Sequence, residues 1–206
     1  ATGEHTVTIT NCKFEAAKQA QTWDGKPVTG IDINSNGAKF TVAINGCTAT
    51  GFPAGLNSKS TLWNVKDGGK AHATVTVDGL KVWDAGYEYL ADGILSKDGE
   101  YLILNKTGLF SFANEVNANG NAFAGKTVKL SANIDLNNEA WTPVGQTCAT
   151  TFNGVFDGKD HTISNLVVNG AGKSNQGFFA QTNNGEIKNV TFHNAKVTGR
   201  LNVGVV

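Results

Sequence analysis

VTITNCKF (Val7 to Phe14) returns with small changes as FTVAINGC (Phe40 to Cys47), ATVTVDGL (Ala73 to Leu80), HTISNLVV (His161 to Val168) and EIKNVTFH (Glu186 to His193). In each stretch alternating β-formers lead to an Asn or Asp. An apolar residue or Cys follows at once or after one Gly. A fixed phrase repeated with loops between is the signature of a solenoid, in which each copy forms one rung. Ile163 to Ile187 and Leu166 to Val190 are both 24 residues apart. That spacing predicts a coil of three short strands per turn, with Asn165 beneath Asn189. In the first half Asn11, Asn45 and Asp78 take the matching place. Stacked Asn side chains hydrogen-bond along the axis, and inward Ile, Leu, Val and Phe supply the burial that drives coiling.

Composition agrees with many tight turns. The chain has 206 residues, 25 of them Gly, only 3 Pro, and many Asn. Gly and Asn tolerate the left-handed backbone that tight corners need. Lys plus Arg equals Asp plus Glu at 17 each, so the basic excess of a nucleic-acid binder is missing. Arg200 is the single arginine, which argues against a phosphate or carboxylate clamp built on guanidinium forks. No apolar run approaches the ~20 residues of a membrane helix. The absence of an initiator Met and a stop inside NVGVV (Asn202 to Val206) suggest a mature or excised piece of a longer protein.

Three cysteines do not make a disulfide framework, and a C-x-x-C zinc or redox spacing is absent. Cys12 and Cys47 occupy matching places in their phrases. Stacked strands ~4.8 Å apart would allow a bridge between them, but free Cys is a common small core residue, and two free thiols are the favoured reading.

Organisation is read in two parts. Residues 1–90 form a β-helix segment with long loops, WDGKPVTG (Trp23 to Gly30) and GFPAGLNSKSTLW (Gly51 to Trp63). Residues 91–206 begin with two Asp-Gly pairs, Asp92-Gly93 and Asp98-Gly99, around a short hairpin-like stretch. There the period changes. Leu109, Phe112, Ala113 and Val116 fall at helical spacing, predicting a capping α-helix near residues 108–118 with Thr107 as its N-cap. Its expected task is to cover unpaired strand edges at a solenoid end. The fold class expected is thus all-β, a right-handed parallel β-helix with one short helix. Its exposed ends or faces offer surfaces for self-association.

From Leu102 onward the string GLFSFANEVNANGNAFAGKTVKLSANIDLNNEAWTPVGQ, then FNGVFDGKDHTISNLVVNG, then QGFFAQTNNGEIKNVTFHNAKVTG resembles the GLUG-repeat proteins of bacterial cell surfaces, abundant in Bacteroides-like gut bacteria. GFFA (Gly177 to Ala180) stands where that family often has Gly-Leu-Phe-Gly. The resemblance implies a right-handed parallel β-helix, an extracellular location, and an adhesin-like or glycan-associated role with a glycan or protein partner. It supplies no catalytic residues.

Parallel β-helices also carry glycosidases and polysaccharide lyases, and phage tailspikes use them too, so the residues were weighed for that chemistry. Glycoside hydrolysis needs two carboxyls ~5–9.5 Å apart. The nearest grouping is FDGKDH, with Asp157, Asp160 and His161, and its simpler reading is a turn with His161 opening the next strand. Calcium-loop and nucleophile-elbow motifs are missing. No cofactor or metal is expected, and the enzyme question is left leaning to no. Aromatic residues are the remaining hint. Trp23 and Trp63, placed in loops, are the candidate exposed binding surface, since rings stack on sugars or anchor proteins. Trp83, Tyr87 and Tyr89 read more simply as filling between the two halves. Two functions stay open: a structural or adhesive module of an extracellular surface protein, or a phage fibre, tailspike or carbohydrate-active β-helix.

Overall fold

A computed structural model describes residues 5–16, 22–23, 26–27, 29–34, 37–52, 62–91 and 93–206. The protein is an all-β parallel solenoid of about 6 turns with one longer helix. It divides into two compact units, Ala1–Asp92 and Gly93–Val206.

In the first unit His5–Thr10, Phe40–Asn45 and Ala73–Val77 lie parallel and in register, Ile9 beside Ile44 and Ile44 beside Val77. Alternate residues Val42, Ile44, Val75 and Val77 point inward and are buried, as the period of two demands. A second flank pairs Lys13–Glu15 with Thr48–Thr50, and a third pairs Ile31–Ile33 with Trp63–Val65. The chain turns between flanks at Asn11 (φ 53°) and Gly46 (φ 60°), both left-handed. The predicted alignment of Asn11 with Asn45 is therefore off by one. Asn45 ends its strand beside Thr10, and Gly46 takes the corner. The third phrase does not turn a corner at all. Asp78 and Gly79 both have positive φ and reverse the chain into an antiparallel hairpin with Leu80–Trp83, the conformation that an Asp-Gly pair favours. Cys12 and Cys47 do fall on neighbouring coils. Both are free thiols, and the Cys12 amide donates to Cys47 Sγ at 3.3 Å.

The second unit opens with the hairpin Ile94–Lys97 and Glu100–Ile103, turned by Asp98-Gly99. The helix Lys106–Ala118 follows, and Thr127–Leu130 then returns parallel to Glu100–Ile103. The long strand Val155–Ser164 lies on Thr127–Leu130 and Ile134–Asp135, and Glu186–His193 lies on it in turn. Two further flanks stack as Val167–Asn169 with Lys196–Thr198 and as Ser174–Gln176 with Leu201–Val203.

The predicted 24-residue period is corrected here. Ile163 sits beside Phe192, and Asn165 bonds to Asn194, 29 residues on. Ile187 rests on Phe156 and Asn189 on Asp157 instead. Partners are 31 residues apart before the bulge at Lys159 (φ 49°) and Asp160 (φ 61°), as in Val155 with Glu186, and 29 apart after it, as in His161 with Val190. The spacing of 24 matched Ile163 and Asn165, which follow the bulge, with Ile187 and Asn189, which pair with residues that precede it.

The helix begins two residues earlier than predicted. Asn105, not Thr107, caps it: its Oδ1 accepts from the Gly108 amide at 3.1 Å. Leu109, Phe112, Ala113 and Val116 are buried as the spacing required. Phe112 joins an aromatic cluster, with its ring 5.2 Å from Phe123, 5.6 Å from Phe152, 5.5 Å from Phe156 and 6.3 Å from Phe179. Gly108 is glycine because its backbone lies against that of Gly93, where any Cβ would strike the Gly93 carbonyl. The helix thus contributes an aromatic ring to the core of this unit.

Candidate functional site

The coils are pinned at their corners by amide ladders. Asn165 Nδ2 donates to Asp135 Oδ1 at 2.8 Å, and Asn194 Nδ2 donates to Asn165 Oδ1 at 2.5 Å. Asn165 and Asn194 are both left-handed, a conformation Asn tolerates better than most residues. A second ladder runs from Asn202 to Asn175 at 2.8 Å, and a third from Asn189 to Asp157 at 3.0 Å. The Asn137 amide and then the Asn165 side chain hold the Asp135 carboxyl below the ordinary carboxylate range, outweighing desolvation, and the charge of Lys106 adds a smaller pull. Burial pushes Asp157 up, but the Lys159 amide, the Asn189 side chain and the charges of Lys159 and Lys188 outweigh it, so its carboxyl also lies low. Asp157 is 8 % exposed and its Oδ1 serves both of those donors. It is a structural acceptor. Asp160 lies in the bulge, and His161 Nδ1 faces Asn133 Oδ1 at 3.3 Å. FDGKDH is therefore not a turn between strands, because His161 continues the same strand.

The aromatic candidates fare differently from one another. Trp63 is not in a loop. It lies in the strand Trp63–Val65 at 2 % exposure, so it offers no ring face to a ligand. The side chain of Trp23 lies outside the described residues, as does that of Tyr89. So do most of the two predicted loop excursions. Trp83 is fully buried, with its indole nitrogen lacking a hydrogen-bond partner.

A polar depression of about 270 Å³ on the second unit is lined by Gln146, Thr147, Lys173, Ser174, Asn175, Gln176 and Ala180. Two loop excursions on neighbouring coils make its walls. Ala140 sits beside Val167 and Val144 beside Phe179, so one coil bulges before Phe179. Phe152 then sits beside Thr182, so the other coil bulges after Val144. The first wall is held by the helix. Asn117 Oδ1 accepts from the Gly145 amide at 2.9 Å, and its Nδ2 donates to the Pro143 carbonyl at 3.1 Å. Thr147 and Thr150 close that loop through their hydroxyls at 2.9 Å. The second wall is held by Gln176, whose Nε2 donates to the Ser174 carbonyl at 2.8 Å and the Asn175 carbonyl at 3.1 Å.

Lys173 is the one cation in this lining, and no ion pair among the described residues includes it. No carboxylate lines the depression. Its amides, hydroxyls and single ammonium suit a ligand rich in hydroxyls. No group of three or more His, Cys, Asp or Glu that would hold a metal occurs among the described residues. Sequence reading missed this site because its walls come from separate coils, and only the true register brings Gln146 and Lys173 together.

Among the described residues no helix is long and apolar enough to cross a membrane. No protein-family model matches the chain, and no solved structure does. A segment of 58 residues, 28 % of this chain, is 50 % identical to Halomucin of Haloquadratum walsbyi, and the chain spans about 1 % of the length of that relative.

Proposed function

We propose that this chain is a structural and adhesive module of an extracellular surface protein, holding a hydroxyl-rich ligand such as a glycan at the Lys173 depression. The observation that carries the reading is the combination of a ladder-pinned scaffold with a polar site free of carboxylates. A stack of coils fixed by packing and corner amides is a rigid spacer, and loops bulging from it are free to recognise a partner. The resemblance to GLUG-repeat bacterial surface proteins supports the same location. So does the segment shared with a protein whose name marks a mucin. A glycosidase needs paired carboxyls, and this site offers none, so binding is favoured over hydrolysis as its use.

The test is a glycan array probed with the labelled chain and with a Lys173→Gln variant. The reading expects a set of glycans retained by the parent chain and weakened at least about threefold by the substitution, the loss of one charge-assisted hydrogen bond. Equal binding by both proteins, or none by either, would remove the depression from the account.

A further inference from the structure

One corner of the first unit holds two thiols on neighbouring coils. Before it Thr10 pairs with Asn45, and after it Lys13 pairs with Thr48. Cys12 and Cys47, 35 residues apart, lie between these pairs at the same offset and so face one another. The Thr48 amide donates to the Cys12 carbonyl at 3.0 Å, the slanted bond of a parallel pair with Cys12 opposite Cys47.

In a regular parallel ladder facing strands lie about 4.8 Å apart, more than the roughly 3.8 Å between Cβ atoms in a disulfide. This corner is not regular. Asn11 (φ 53°) and Gly46 (φ 60°) stand in the left-handed region just before the two cysteines. Past them the Cys47 side chain leans onto the neighbouring coil. Its Sγ accepts from the Cys12 amide at 3.3 Å, and its thiol reaches the Ile9 carbonyl at 3.5 Å. Cys12 Sγ makes a weak 3.5 Å contact with the Thr10 carbonyl of its own coil. Access differs between them: Cys12 is exposed, and Cys47 is only 7 % exposed.

We propose that Cys12 and Cys47 are a redox pair, closing into a disulfide between the two coils when a small disulfide such as oxidised glutathione is supplied. Rotation about the Cys12 Cα–Cβ bond gives up the weak contact with Thr10 and turns the sulfur to Cys47. The exposed Cys12 thiolate attacks one glutathione sulfur, and the first glutathione leaves as its thiolate. The Cys47 thiolate then attacks Cys12 Sγ and releases the second. The protein thiols lose two electrons, the glutathione disulfide gains them, and the two protons end on the released glutathione thiols. A link across 35 residues restricts the unfolded chain more than the folded one, so the closed form resists unwinding of these coils. Cys148 takes no part, since it lies in the second unit with its Sγ 3.7 Å from Gln181 Oε1. The pair stands independently of the glycan reading of the Lys173 depression.

The experiment treats the folded 206-residue chain carrying Cys148→Ala with oxidised glutathione, its fold checked by circular dichroism. Its two remaining thiols should fall to none, with a mass lower by two hydrogens and no glutathione retained. Trypsin should release residues 1–13 joined to residues 40–59, from this variant and from the parent chain alike. The urea midpoint should rise on oxidation and return with dithiothreitol. Adding Cys47→Ala should stop the reaction at a glutathione adduct on Cys12. Two thiols surviving oxidation of the Cys148→Ala chain, or a glutathione adduct that persists on its Cys12, would overturn the proposal. So would disulfides formed only between chains, or an oxidised form with a lower urea midpoint.

Discussion

Replacing Asn165 by Ala tests the corner ladder at its middle rung. Asn165 stands in the left-handed region at φ 57° and bonds to both neighbours, Asp135 and Asn194. Alanine in that conformation costs about 1–2 kcal/mol from the clash of Cβ with the backbone. Loss of the bond to Asn194 adds about 0.5–1.5 kcal/mol. The bond to the exposed Asp135 carboxylate is left out of the sum. The sum is about 1.5–3.5 kcal/mol. Asn165→Gly separates the two parts. It loses the ladder but tolerates positive φ, so it should recover about 1 kcal/mol relative to Ala. Urea unfolding followed by circular dichroism reads both as midpoint shifts at constant slope. An alanine variant within about 0.5 kcal/mol of the parent, the range of ordinary surface changes, would refute the reasoning. So would a glycine variant no better than alanine.

Further outcomes concern the aromatic cluster, the helix start and acid stability. Phe112→Ala empties the centre of the aromatic cluster and should cost about 3–5 kcal/mol, read as a large drop in the calorimetric midpoint. Gly108→Ala places a methyl on the Gly93 carbonyl, and should lower stability by more than the ~1 kcal/mol that helix propensity alone would add. The same melts with Asn117→Ala would show a much smaller effect. Stability should also fall as pH drops below the ordinary carboxylate value of about 4. Asp135 and Asp157 are lowered in the folded state, so their contribution is full above the unfolded pKa and is lost as pH falls through the folded one. Asp157→Asn should flatten part of that slope in acid titrations of the unfolding midpoint.

The fold class was legible because burial imposes a period of two on each rung, and the phrases around Val7, Phe40 and Glu186 preserve it. The helix was legible for the same reason at a different period. Its cap was not. Asn105 and Thr107 are both good N-caps by type, and only the close approach of Gly108 to Gly93 selects the earlier start. Register was misread wherever a single residue shifted the count. The spacing of 24 matched residues on opposite sides of the bulge at Lys159 and Asp160, Ile163 after it with the partner of Phe156 before it, and a glycine at position 46 moved the corner off Asn45. Asp78-Gly79 shows the converse: one dipeptide suits both a solenoid corner and a hairpin, and its neighbours decide. The binding candidates were the least legible. Trp63 ends a stretch rich in turn residues, Pro53, Asn57 and Ser58 among them, and so reads as a loop aromatic, yet it pairs beside Ile31 and is buried. The Lys173 depression has no local signature, since its walls meet only after coiling.

Stacking of coils one above another in parallel is the claim on which the ladders and the depression both depend. Scalar coupling across backbone hydrogen bonds measures it directly in an isotope-labelled sample. The amide of Asn165 should couple to the carbonyl carbon of His193, and that of Leu136 to Ser164. Coupling of the Asn165 amide to Lys188, the partner a 24-residue period would give, or to an antiparallel neighbour, would contradict the account.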